Sequence, residues 1–217
     1  MRGVRIEAAE VLAGKAPGDR IPNLAKALTH ATNEYIAAQE LNADRPEAHL
    51  NLALLFGKEG KLDRAEDELR TALSLDPGFA PAAVNLADLY REGGRETAGE
   101  AVLTAALKRS PHDASLLHAL GLSMVRQKRN KQALELLGAA AHADPASARY
   151  AYVYAVALRD GGDTRAAIDI LEGNLKAHPY DRDTLAALAD WWEQAGDHSK
   201  ALEYSQRLNQ LSLNTGH

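Results

Sequence analysis

The 217-residue sequence contains no cysteine. Disulfides, thiolate metal sites, cysteine nucleophiles and c-type haem attachment are therefore excluded within this chain, although zero cysteine does not decide the compartment. No apolar run approaches the roughly 18 residues of a membrane span. No block of Lys and Arg stands out. The 25 basic and 30 acidic residues leave a net charge of −5, so attraction to nucleic-acid phosphates has no electrostatic footing. P-loop, GxSxG and dinucleotide-binding patterns are all missing. Gly93-Gly94 and Gly161-Gly162 read as turn pairs, not as phosphate cradles. The eight histidines are scattered, with His49, His118, His142 and His178 far apart, and no pair has the i, i+4 spacing of a helical metal site. No catalytic residue, no metal and no cofactor is expected, and the chain does not read as an enzyme.

What is present is a repeat. Pro46 to Phe79 reads as two amphipathic helices joined by a Gly-containing turn and closed by Asp-Pro. The plan returns four times. Pro77, Pro111, Pro145 and Pro179 are each 34 residues apart, as are Leu52, Leu86, Leu120, Tyr154 and Leu188. The small residues Ala65, Gly99, Ala133, Ala167 and Ala201 keep the same interval. Such a period marks a stack of helical hairpins, none of which buries its apolar face alone. In each repeat the spacing predicts helix A at the second to fourteenth position and helix B at about the seventeenth to thirtieth. Ala53, Ala87, Gly121, Ala155 and Ala189 on helix A face the small residues of helix B, because larger side chains at both places would hold the axes too far apart. Gly60, Gly94, Gly162 and Gly196 occupy the turn, where positive φ is needed. Lys128 takes that place in the third repeat, which predicts a strained or differently closed turn. The alternating stretch Tyr150 to Leu158 could pass for a strand, but the repeat register makes it helix A.

The ends depart from the pattern. Val4, Ala8, Val11 and Leu12 form one helical stripe, and VRIEAAEVLAG resembles the second helix of a HEAT repeat. Residues 1–18 are read as that remnant. Residues 19–45 form a capping helix, in which Ala31, Tyr35 and Ala38 match Ala65, Leu69 and Ala72 of the next unit. The five full repeats are 46–79, 80–113, 114–147, 148–181 and 182–215. In the last, Trp192 takes the inward place of Phe56 and Tyr90, whereas Trp191 would lean toward a following repeat and, without one, either packs under the final helix or remains partly exposed. Glu7 and Glu10 interrupt what would be a signal-peptide core. That places the chain in the cytoplasm if it is complete, and leaves the periplasm open if it is a piece of an exported parent.

Period, small residues, turn glycines and prolines together resemble the tetratricopeptide repeat family over about Ala31 to Leu213. The resemblance implies an all-α, right-handed superhelical solenoid whose A helices line a concave groove. It also implies a scaffold or adaptor that binds a protein or peptide segment. Groove positions carried over from the family are Leu50, Asn51 and Leu54, then Val84, Asn85, Asp88 and Arg91. His118, Leu122 and Arg126 follow, and then Tyr152, Val156 and Arg159. Asn51 and Asn85 stand where some members hold a peptide backbone with an asparagine ladder, here interrupted by Ala119, Val153 and Ala187. Arg91, Arg126 and Arg159 would favour acidic groups. The carboxylate clamp of some members is not expected, since Leu50, Leu54, Ser115 and Ala119 replace its residues. Two alternatives accompany this reading. One is self-association through the chain ends, using Trp191 and the Val4, Val11, Leu12 stripe. The other is a docking domain of a larger bacterial enzyme or c-type haem protein, which the HEAT-like start followed by these repeats also resembles.

Overall fold

In the computed structural model the described residues are 22–214. The HEAT-like stretch Val4–Gly14 and the stripe proposed for self-association lie outside them. Among the described residues there are eleven helices: α1 Pro22–Glu40, α2 Pro46–Lys58, α3 Leu62–Leu75, α4 Ala80–Glu92, α5 Glu96–Leu107, α6 Ala114–Arg126, α7 Asn130–Ala143, α8 Ala148–Asp160, α9 Thr164–Ala177, α10 Arg182–Gln194 and α11 His198–Asn214. Tyr150–Leu158 is helical, within α8. Each A helix (α2, α4, α6, α8, α10) starts and ends one residue earlier than the pattern predicts. Asp113 and Asp181 explain the early start in two of them, since each carboxylate accepts from backbone N–H groups of the first turn.

The hairpin turn is closed in one way throughout. Positive φ falls at Gly60 (74°), Gly94 (70°), Lys128 (59°), Gly162 (94°) and Gly196 (84°). The next residue's N–H then donates to a carbonyl five positions back: Lys61 to Phe56 at 2.9 Å, Arg129 to Met124 at 2.9 Å and Asp197 to Trp192 at 3.0 Å. This is the Schellman closure, and it satisfies a carbonyl left orphaned at the end of the A helix. The turn at Lys128 is thus not differently closed. A lysine adopts the glycine conformation there. Asp76, Asp144 and His178, each preceding a proline, leave the helical region with φ of −133°, −135° and −125°.

The chain forms two compact units, the first ending at Pro111 and the second beginning at His112. In the first, Leu52, Phe56, Leu69 and Leu86 form the core, with Tyr35 of α1 packed into it. In the second, Leu171, Leu185, Leu188 and Trp191 do so. Small residues meet at the crossings. A Cβ on Gly99 would lie 3.1 Å from the Ala87 carbonyl oxygen, and one on Gly121 would lie 2.8 Å from Leu137 Cδ2.

The first unit also holds an ionic network that the sequence pattern does not announce. Glu66 on α3 bonds Arg70 Nη2 at 2.7 Å and Arg95 Nη2 at 2.7 Å. It also accepts from the Tyr90 hydroxyl at 3.1 Å. The Arg95 guanidinium lies over the Tyr90 ring, 4.3 Å from its centre. Hydrogen bonding from Arg95 is the largest influence on the Glu66 carboxyl and holds its pKa below the ordinary value against the opposing effect of burial.

Candidate protein-binding faces

In the first unit, α2, α3 and α4 wall a cleft of about 360 Å³. Leu54, Asn85 and Asp88 line it, together with Lys58, Leu62, Leu89 and Glu92, over a floor that includes Ala65 and Leu69. Leu54 is 41% exposed and Leu62 50% exposed, so the rim offers apolar surface to solvent. The cleft exists because the small Ala53 and Ala65 bring α2 and α3 together below it while Leu54 stands on the uncovered side of α2. Leu50 is half-buried and packs against the core of this unit. Val84 is half-buried as well.

The asparagine ladder is not supported. The Asn51 amide donates to Gln39 Oε1 at 3.1 Å, and the Asn85 amide donates to the Pro81 carbonyl of its own helix at 2.8 Å. Both have intramolecular acceptors: Gln39 lies near the end of α1, and Pro81 lies in the first turn of α4. Arg91 is also engaged, 3.3 Å from Asp88 and 3.3 Å from Glu92.

In the second unit, Leu122, Tyr152 and Val156 are half-buried and Val125 is 42% exposed. Tyr152 and Val156 pack against the core of the unit. Arg126 is exposed. Arg159 is not a free cationic edge. Its Nη2 donates to Gln194 at 2.5 Å, its Nη1 lies 3.8 Å from Asp190, and its guanidinium lies 4.8 Å from the centre of the Trp191 ring. An i, i+4 bond from Gln194 to Asp190 at 2.8 Å completes the cluster. The neighbouring acids on α10, one repeat further along, largely offset the basic edge expected from Arg159.

His118 does not line an open surface. It is 7% exposed and packs against Tyr150, with ring centres 4.8 Å apart. Neither ring nitrogen has a hydrogen-bond partner. Burial, and then the charge of Arg149, push its pKa down to about 4. The repeat register places His118 on the inner side of α6, but Tyr150 comes from a different helix, and only the fold shows that it covers the ring.

Of the two placements open to Trp191, the structure shows the one under the final helix, and Trp192 packs against the same core. Trp191 is 4% exposed and belongs to the core, while Trp192 is half-buried beneath Lys200, whose Nζ lies 3.7 Å from its ring centre. The corresponding pair in the first repeat is Phe56 with Arg64, at 3.8 Å. Trp191 is therefore not an outward face for self-association. α11 and the Arg159 side chain cover it. Among the described residues no group of three His, Asp and Glu side chains could hold a metal ion, and no helix is long and apolar enough to cross a membrane.

Family models described as Tetratricopeptide repeat match this sequence, one over residues 56–120 and another over 25–78 and 118–182. Comparison with curated proteins finds no match. Among solved structures, the crystal structure of MamA superposes with a TM-score of 0.65 at 16% identity, covering 75% of this chain and 95% of that one. MamA AMB-1 gives 0.56 at 26% identity, covering 77% and 98%. YrrB, a TPR protein with an unusual peptide-binding site, gives 0.59 at 20% identity, covering 82% and 92%. The fold is thus an all-α superhelical solenoid of paired antiparallel helices.

Proposed function

Because the chain belongs to the tetratricopeptide repeat family, we propose that it is a protein-interaction scaffold that takes a segment of a partner protein against the inner faces of its A helices. One observation carries the reading. The cleft between α2, α3 and α4 brings Leu54, Asn85 and Asp88 to a single apolar-floored depression whose rim is part apolar, at Leu54 and Leu62, and part polar, at Asn85 and Asp88. Such a depression suits an aliphatic or aromatic anchor from a partner segment, since buried anchors in small pockets supply most of the affinity of protein interfaces. The peptide-binding site in the name of YrrB agrees with this use of the fold. In the second unit, Leu122, Tyr152 and Val156 would supply the matching apolar surface. Arg126 and Arg159 would supply polar contacts beside it.

Panning a displayed library of random peptide segments against the folded chain tests this. Enriched segments should carry an apolar anchor, and Leu54→Glu should weaken a segment seated in the first-unit cleft. Enrichment of no segment at all would overturn the reading.

A further inference from the structure

The first repeat holds an ion pair where the other four are apolar or aromatic. His49 on α2 and Glu68 on α3 are 2.6 Å apart, with side chains only 12% and 24% exposed. In steps of 34, the same two places hold Ala83 and Val102, Leu117 and Leu136, Ala151 and Ile170, and Leu185 and Tyr204. Packing alone therefore needs no charge there. A half-buried ion pair gains little over such a contact, because desolvation offsets most of the Coulomb attraction. What sets the first repeat apart is its neighbour. Its α2 follows α1 and the loop 41–45, and His49 Nε2 lies 2.9 Å from the Ala43 carbonyl in that loop. No backbone N–H among the described residues donates to that carbonyl. Glu68 is the one ionised group paired with His49 among the described residues. Glu40, Asp44, Arg45 and Glu47 are exposed, and Arg45 pairs with Glu47 at 3.6 Å. Arg64, one turn before Glu68, lies over the Phe56 ring.

We propose that His49 is a proton-dependent latch: when protonated it ties the loop 41–45 to Glu68 on α3, and on losing its proton it releases the loop while α1 stays packed. This does not rest on the scaffold reading. The imidazolium ring donates to both acceptors. A neutral ring has one N–H, and Nδ1 keeps it, because the bond to a carboxylate is the stronger. Nε2 then turns a lone pair toward the Ala43 oxygen at hydrogen-bond distance, and the two acceptors repel. α1 has other ties that do not titrate in this range. Tyr35 packs into the core, and the Asn51 amide donates to Gln39. Burial disfavours the charged ring, but the bonds to Glu68 and Ala43 and the Glu68 charge outweigh it, so the folded pKa is raised. The latch is closed below that folded value and opens as pH rises through it.

NMR titration of the ¹³C,¹⁵N-labelled full chain tests this. The Ala43 carbonyl ¹³C signal should move with the same midpoint as the His49 ring nitrogens, and above that midpoint the His49 proton should sit on Nδ1. The ¹H–¹⁵N NOE of the Asn42, Ala43 and Arg45 amides should fall over the same step, while the Tyr35 ring signals stay in place. Glu68→Gln should lower the midpoints of His49 and of the Ala43 carbonyl together, since it removes the charge that favours the imidazolium. His49→Leu with Glu68→Leu installs the pair of the third repeat, should stay folded, and should show no step at Ala43. An Ala43 carbonyl that ignores the His49 titration, or a step that survives in the double variant, would overturn the proposal. Tyr35 signals that shift together with the loop would also overturn it, because α1 would then be leaving as a whole.

Discussion

Gly99 of α5 sits against Ala87 of α4 so closely that a methyl group at position 99 would lie 3.1 Å from the Ala87 carbonyl oxygen. A backbone atom cannot yield as a side-chain end can. Gly99→Leu should therefore cost about 2 kcal/mol or more by overpacking, and Ala133→Leu, at a site 1% exposed, on the order of 1–3 kcal/mol. Gly173, in α9, is the control, since nothing lies within 4 Å of a Cβ placed there. Gly173→Ala should stabilise by up to about 1 kcal/mol through helix propensity. Thermal or urea unfolding of the three variants checks both signs.

Lys128 adopts the left-handed conformation that four glycines adopt at the equivalent turns. A non-glycine residue there costs of order 1 kcal/mol or more. Lys128→Gly should raise stability by about 1 kcal/mol, and Gly162→Ala should lower it by a similar amount. Equal and opposite shifts in the urea midpoint would establish that the turn, and not the lysine charge, sets the difference.

These two features show what the sequence made legible and why. Repeat spacing is a backbone property, so the helix pairs, the turn residues and the small residues at the crossings could be read from a 34-residue interval. The side-chain partners could not. Asn85 looks free in sequence, yet its own helix supplies an acceptor at Pro81. Arg159 looks like a cationic edge until Asp190 and Gln194, one repeat further on, are brought beside it. The choice between the two placements of Trp191 has the same origin, because the closing helix α11 decides whether its ring is covered.

His49 links α2 to two acceptors, the Glu68 carboxylate at 2.6 Å and the Ala43 carbonyl at 2.9 Å. A neutral imidazole has one N–H, so both contacts are satisfied only when the ring is protonated. Burial lowers its pKa, but the bonds to Glu68 and Ala43 and the Glu68 charge outweigh that, and the folded value is raised. The stabilisation is therefore complete below the unfolded value near 6.5 and is lost as pH rises through the folded value. Urea unfolding between pH 5 and 9 should show this decline, and His49→Gln should remove it.

Glu66 works in the opposite direction. Its folded pKa is lowered, first by the hydrogen bond from Arg95. Its contribution is present above the unfolded carboxylate range and fades as pH falls through the folded value. Glu66→Gln should cost about 2 kcal/mol at neutral pH, and less in acid, where the wild type loses the same charge. Acid-unfolding curves of the pair should converge.

The central claim is that the inner faces of the A helices receive a partner segment. Isothermal titration of a panned segment against wild type, Leu54→Glu with Leu122→Glu, and Leu202→Glu tests it most directly. Leu202 of α11 is 59% exposed and was not placed on those faces. The double variant should lose at least about ten-fold in affinity, as expected when a carboxylate replaces an apolar contact, while Leu202→Glu binds like the wild type. Equal affinity for the wild type and the double variant, with binding lost in Leu202→Glu, would contradict the account.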